Sequence, residues 1–352
     1  AKRELFLATQ PGHPRITVGG CIAADIHGKN QFRDGTFINQ VLELSLFHPL
    51  HGVIRLSPHT EPDLFKLTCG GYGLTGNILS ARLKVKSIPS TMADVTLIPI
   101  DDIASLPDQL RKSAARSDFV FSWHDFDAKG KDFGRGFIQE GRFVEASEGQ
   151  AARLTVGKQT LSAESRGQWQ ANLFNKASIR VLNTLYGARA KWTPGPARVS
   201  LFDSIFPIQK SKELYFKFFG AAGFYEYQLM VPACNFAYFA QQIKHWLQKN
   251  ELPITLASAK LFAGRQDLLR FTGEGICLCI DFPRCATSDQ FLQFLDNLML
   301  ECRGIPNIIK DSRLPRQVVQ AAYPEFEKFS SRLKEFDPKR TYQSELSRRL
   351  GL

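Results

Sequence analysis

No apolar run in the sequence approaches the length of a membrane span. The opening residues, "AKRELFLATQPGHPR", lack an apolar h-region and a small-residue cleavage pattern. A signal peptide is therefore not expected, and the cytoplasm is. Internal repeats and low-complexity tracts are missing, which sets aside solenoids and disordered linkers. Cysteine is sparse and odd in number, seven in 352 residues, so reduced thiols are expected rather than a disulfide framework. Cys277 and Cys279 form a C-x-C on an expected strand and should share a face. No second pair at zinc spacing accompanies them, so no metal site is expected. His48 and His51 flank Pro49 without an acidic ligand pattern and read as a loop pair. Acidic residues are in deficit, 34 against 45 Lys and Arg, giving a net charge of +11. Such a surplus suits an anionic partner: a nucleotide cofactor, a phosphorylated substrate or an anionic membrane surface. Zinc-finger, RNP-type and helix-turn-helix signals are absent and the cations are dispersed, so nucleic acid is not expected.

What is present is an ordinary globular composition, 43% hydrophobic and 22% charged, with length for two domains. Residues 15–22, "RITVGGCI", read as a strand entering a glycine turn. Residues 37–58 read as a helix or turn and then a β-hairpin around His51 and Gly52. Residues 62–86 read as a short helix, a glycine-rich loop and a strand. From about 92 the texture becomes α+β. Strand-like pieces at 118–126, 136–146, 226–232, 254–262 and 275–283 alternate with helices at 176–190, 234–251 and 287–304. The helix at 234–251 places Phe236, Phe239, Ile243 and Leu247 on one apolar face, read here as core. Thr287 with Gln290 is the expected cap of the 287–304 helix, and Gly304 its expected end. Residues 193–199, "TPGPARV", read as an internal loop. A helix near 323–337 precedes the basic end "SELSRRLGL", which suits either a solvated helix or a contact with a membrane surface.

Two glycine clusters carry the chemistry. In "TVGGCIAADIHGKN", Gly19 and Gly20 remove side chains where a pyrophosphate could meet backbone N–H groups. Ala23 and Ala24 keep the next turn slim, and His27 and Lys29 follow within reach of a ligand. The same residues also suit a tight turn beside an ordinary surface His and Lys. In "CGGYGLTGNILSARLKVK", Gly70, Gly71, Gly73 and Gly76 fall within seven residues. This cluster lacks the Lys-Ser/Thr of a P-loop and is not a G-x-G-x-x-G opening a helix, so a Rossmann site is disfavoured. It suits either close backbone approach to a flat cofactor, with Ile78 alongside, or a structural glycine bulge.

Taken together and in this order, the clusters resemble the flavin-binding half of the vanillyl-alcohol-oxidase type FAD oxidases, nearest to the decaprenylphosphoryl-β-D-ribose oxidase branch. "GAAGFYEYQLMVP", "CLCIDFP" and "KDSRLP" with the "DPKRTYQSELSRRL" end extend the resemblance over nearly the whole chain. It implies a two-domain FAD-binding oxidase fold of the α+β class, with a discontinuous FAD domain and an antiparallel-sheet substrate domain flanked by helices. The implied boundaries are 1–91 for a partial FAD-binding domain, 92–304 for the substrate-binding domain, and 305–352 for a segment returning to the FAD domain. The implied FAD-binding residues are Gly12, Thr17, Val18, Gly19, Gly20, Ala24, Asp25, Ile26, His27 and Ile78. Lys29, Phe224, Gln228, Cys279 and Lys310 would face the substrate, with His27 and Lys310 catalytic. His27 would accept or relay the hydroxyl proton, and Lys310 would stabilise the reduced ring or position the hydroxyl. The implied reaction is oxidation of a secondary alcohol of a sugar or polyprenyl-phosphate-linked pentose to a ketone. An NAD(P)-dependent reductase that completes an epimerisation is the implied partner.

The sequence also departs from that pattern. The family's main pyrophosphate loop lies well upstream of "TVGG", whereas sixteen residues precede Thr17 here. The expectation is that the first lobe of the FAD domain is missing from this sequence. Gln31 and Phe32 replace a His pair. Glu226 and Cys277 stand in place of amides, Phe206 in place of a His, and Asn307 in place of a Tyr. The remaining alternatives are an aldonolactone or alditol oxidase, and a truncated non-catalytic relative that binds a phosphorylated ligand or a partner.

Overall fold

The computed structural model describes residues 5–13, 16–88, 90–144, 171–192, 195–206 and 212–352. Arg15, residues 145–146 of the expected 136–146 strand, and the start of the "TPGPARV" loop lie outside them. Strands β1 (Leu5–Phe6), β2 (Val41–His48), β3 (Gly52–Leu56), β4 (Asn77–Leu83) and β5 (Lys86–Ser87) belong to the first part of the chain. There follow β6 (Met92–Ile100), β7 (Phe119–His124), β8 (Gly136–Phe143), β9 (Ala197–Ser200), β10 (Phe224–Val231), β11 (Leu256–Phe262), β12 (Gly275–Pro283) and β13 (Ile305–Pro306). These last eight form one antiparallel sheet in the order β13-β10-β12-β11-β7-β8-β6-β9. The fold is thus a mixture of helix and sheet built on an antiparallel sheet. A smaller sheet, β3-β2-β4, lies before it in the chain.

Period-2 alternation gives the large sheet two chemically different faces. On one, Leu229, Leu278, Ile280, Ala257, Ala259 and Val120 are buried in the main core. Helices Ala233–Lys249 and Ala286–Glu301 cover that face, and Phe236, Phe239 and Ile243 are fully buried there. The helical spacing read from the sequence is therefore the packed stripe. The other face carries the polar residues of the same strands.

Some local readings change. Residues 18–23 are a short helix and not a strand, because the Thr17 hydroxyl accepts from Gly20 N at 3.1 Å and caps it. The 286–301 helix is capped by Cys285 and Ser288, not by Thr287. Its end is closed by Arg303 at φ 54°, with Gly304 N donating back to Met299 O at 2.7 Å. The "TPGPARV" stretch is only partly loop, since β9 begins at Ala197 and pairs with β6.

The helix Phe326–Phe336 packs onto the small sheet. His51 stacks on Phe336 and His48 meets it edge-on. Arg332 bridges to Asp63 at 3.1 Å. His48 is fully buried 3.5 Å from Asp337, so the H-x-x-H pair serves packing. Among the described residues, no helix is long and apolar enough to cross a membrane.

Phe239→Ala should cost about 3–5 kcal/mol, the range for emptying a fully buried aromatic site. A urea titration that places the loss below ~1 kcal/mol would contradict the placement of this helix on the sheet.

Candidate functional site

Cross-strand register assembles the polar face. Gln228 of β10 pairs with Cys279 of β12, which pairs with Ser258 of β11, which pairs with Trp123 of β7. One step along, Glu226 pairs with Asp281. Residues in cross-strand register point the same way, so these side chains share one surface. The ligand atoms of Glu226, Cys279 and Asp281 lie within 4.8 Å of one another. Lys310, from the segment after β13, brings its ammonium 2.8 Å from Glu226 Oε1 and supplies the cation for this group. Burial pulls the Lys310 ammonium down, but the neighbouring Glu226 carboxylate outweighs it and the net shift is upward. Burial, reinforced by Glu226, pushes the Asp281 carboxyl well above the usual range. Tyr215 donates to Asp281 Oδ2 at 3.0 Å. Burial likewise pushes the Cys279 thiol up, so it is no thiolate nucleophile. Gln228 Oε1 accepts from Asn307 Nδ2 at 2.5 Å, which leaves the Gln228 amide nitrogen as its free polar end.

The segment 25–31 crosses this face from the first part of the chain. Asp25 holds φ 43° and points inward. Its carboxylate accepts from Thr36 Oγ1 and Ile38 N, both at 2.7 Å, with Arg270 3.7 Å away. Burial raises its pKa to about 6 against the pull of Arg270. Gln31 pairs with the end of β11 through Nε2 to Ala263 O at 2.9 Å and Ala263 N to Oε1 at 2.7 Å. Between these anchors, His27 packs edge-on against Phe262 at 4.8 Å and beside Phe271 at 5.5 Å. Burial first, then the charges of Lys260 and Lys310, holds its imidazole neutral at physiological pH. Lys29 donates to Ser204 O at 2.8 Å and lies 3.7 Å over the Phe121 ring. Burial and Lys260 disfavour its charge. A small pocket of about 40 Å³ opens between Gly12, His27, Lys29 and Lys260.

The two glycine clusters separate on inspection of what a side chain would meet. A Cβ at Gly12 or Gly19 meets nothing within 4 Å, and the adjacent Val18 is 47% exposed. Gly20 lies against its cap Thr17. Ala24 ends the short helix, and Ile26 packs against the small-sheet core. The second cluster is mostly packing. Gly70, at φ 88°, leaves room for Arg270 beneath Asp25, and Gly76, at φ 137°, lies against Phe47 O. Ile78 pairs with Leu46 and rests on the same small core.

The expected residues His27, Lys29, Gln228, Cys279 and Lys310 therefore meet on or over one sheet face, and Phe224 opens β10 at its edge. Sequence reading missed Gln31, Lys260 and Asp281 as parts of this assembly. Lys260 and Asp281 carried a usable signal, because they continue the polar period-2 positions of β11 and β12.

Comparison with known proteins follows from this geometry. No protein-family model matches the chain. Over 99% of its length it is 29% identical to decaprenylphosphoryl-beta-D-ribose oxidase of Mycolicibacterium smegmatis, spanning 76% of that protein. Over the same share it is 24% identical to an uncharacterised Streptomyces coelicolor protein, spanning 96% of it. A stretch of 104 residues, 29% of this chain, is 36% identical to cytokinin dehydrogenase 1 of Oryza sativa subsp. japonica and spans 19% of that enzyme.

The inward carboxylate predicts a signed pH effect. The folded-state pKa of Asp25, about 6, lies above its ordinary 3.8. The unfolded chain therefore loses this proton first, and the contribution of Asp25 to stability falls as pH rises between those values. The stability difference between wild type and Asp25→Asn should shift against wild type by about 3 kcal/mol across that window. Urea midpoints taken at each pH check it, and a pH-independent difference would refute it.

Proposed function

From its homology to decaprenylphosphoryl-β-D-ribose oxidase, an FAD-linked oxidase, we propose that the chain is an FAD-dependent oxidoreductase acting on a secondary alcohol of a polyprenyl-phosphate-linked sugar. The homologues are FAD-dependent oxidoreductases, among them the cytokinin dehydrogenases. The observation that carries the reading is the convergence of His27 with Lys310, Glu226 and Gln228 over one sheet face.

The residues fit the cofactor. A Cβ at Gly12 or Gly19 would stand in open space, so bare backbone is available there for a phosphate cradle. Thr17, Val18, Gly19 and Gly20 would hold FAD there, with Ala24, Asp25, Ile26, His27 and Ile78 shaping its surroundings. Bound flavin supplies a two-electron acceptor for hydride. The chain supplies the rest. Neutral His27 is an acceptor for the alcohol proton, because its unprotonated ring is the resting form. Lys310, held charged by Glu226, fixes the hydroxyl oxygen and favours negative charge that develops beside it. Gln228, oriented by Asn307, presents an amide donor to sugar hydroxyls. Cys279 and Phe224 form the wall. Lys29 is turned to Ser204 and Phe121, and a substrate phosphate would have to recruit it from those contacts.

The eight-stranded sheet would be the substrate domain, and the parts on either side of it in the chain would be the FAD domain. A ketone product calls for an NAD(P)-dependent reductase partner that returns it as the epimer.

Two outcomes are expected. Gly19→Val should leave the melting temperature nearly unchanged, because a Cβ there meets nothing within 4 Å outside its own helix and chain neighbours. It should weaken FAD binding at least about tenfold, read by flavin fluorescence titration. Unchanged affinity would remove the cradle from this surface. Separately, Glu226→Gln should move the alkaline limb of the rate profile to lower pH, since burial then acts on Lys310 without the opposing carboxylate. An unmoved limb would take Lys310 out of the rate-determining ionisation.

A further inference from the structure

We infer that the helix Lys176–Trp192 is an interfacial contact with an anionic bilayer, placed beside the sheet face that carries the chemistry. Its inner side is fixed to that face. Gly187 and Tyr186 lie on the Trp123 ring, the Tyr186 centroid 4.9 Å away, and Trp123 belongs to the Ser258–Cys279–Gln228 row. Asn183 donates to Asp125 at 2.8 Å and Lys176 to Asp127 at 2.7 Å. Ile179 and Asn183 are buried.

The outer side should be polar in an ordinary surface helix. Here Val181 is 60% exposed, Leu185 57% and Trp192 73%, with Leu182 at 44% beside them. At 100° per residue, Val181, Leu185 and Trp192 fall within one narrow sector, opposite Ile179. Leu173, at 41% exposure, extends the apolar surface before the helix. A contiguous exposed stripe of this kind marks an interaction surface.

Charge selects the occupant. The helix sequence, KASIRVLNTLYGARAKW, has four basic residues and no acidic one. Arg180 is exposed about 100° around the helix from Val181, and the whole chain carries +11. Apolar side chains with a terminal Trp and flanking cations suit the headgroup region of an anionic membrane, while an apolar partner protein would not require the charge. The advantage to the reaction rests on the function proposed above: a polyprenyl-linked sugar stays in its bilayer, and an enzyme docked beside its own site receives the headgroup without extracting the lipid.

The test uses the full chain with phosphatidylcholine vesicles, with and without phosphatidylglycerol, read by co-sedimentation. Brominated lipid reports Trp192 through quenching, with Trp192→Phe as its control. Wild type should bind the phosphatidylglycerol vesicles, with quenching lost in Trp192→Phe. Val181→Asp combined with Leu185→Asp should weaken binding at least about tenfold at an unchanged melting temperature. The same double variant should oxidise a short-chain water-soluble analogue at the wild-type rate. Vesicle binding needs no flavin and no turnover, so an inactive chain that binds would defeat the functional reading alone. The inference fails if wild type does not bind, or if the double variant binds equally well. It also fails if the stripe instead closes a dimer of this chain that the double variant dissolves in vesicle-free buffer.

Discussion

The site depends on one amide. Gln31 makes a two-point pair with the backbone of Ala263, in effect adding one rung to the end of β11. A further bond to Thr272 Oγ1 at 3.2 Å leaves little rotational freedom. Four residues upstream, His27 is held against Phe262 of the same strand. With Asp25 tied to Thr36, Ile38 and Arg270 on the other side, the intervening turn is fixed at both ends. Together with the backbone bond from Val120 N to Lys29 O at 3.0 Å, these ties define where His27 and Lys29 lie over the large sheet. With them, a histidine near the N-terminus lies over the same sheet face as a lysine near the C-terminus, near enough to feel its charge.

That space combines buried groups, Asp281 and Cys279, with a half-exposed ion pair, which shapes its chemistry. Burial and then Glu226 push the Asp281 carboxyl upward, and it accepts a hydroxyl hydrogen bond from Tyr215. The charge of Glu226 is spent on Lys310. Burial and the charges of Lys260 and Lys310 disfavour a cationic His27, so a proton it takes would be relayed onward and not held. A group of this kind can relay a proton and orient hydroxyls.

Much of this was legible in the sequence, and the physical reasons differ by element. Helix Ala233–Lys249 and strands β10 and β12 announced themselves because burial imposes a strict period on long segments. The stretch 18–23 misled, because Thr-Val-Gly-Gly has strand propensity and its helix depends on one hydroxyl cap and on packing. The second glycine cluster looked as functional as the first. What a Cβ would meet separates them only in part: Gly70, Gly71 and Gly76 face Arg270, Leu67 and Phe47, whereas Gly19, like Gly73, faces open space. Gln31 was visible merely as a departure from a related pattern. Its partner, Ala263, lies 232 residues away, and no local rule connects the two.

The distribution of charge links the site to the surface. The chain carries +11, and of the cations nearest the chemistry Lys310 is paired with Glu226 and Lys29 is disfavoured by burial against Phe121, which leaves Lys260 as the local positive charge. The surplus that would attract an anion must therefore lie mainly outside the reaction face. For a substrate with a neutral sugar at one end and a phosphate and lipid at the other, this is the physically economical arrangement. A strong local field at the site would bind the phosphate where the sugar carbon has to be. A diffuse positive exterior steers the molecule and leaves orientation to hydrogen bonds. The selectivity of the site should accordingly reside in Gln228, Asn307 and Glu226, whose geometry reads hydroxyl positions, and not in its count of lysines.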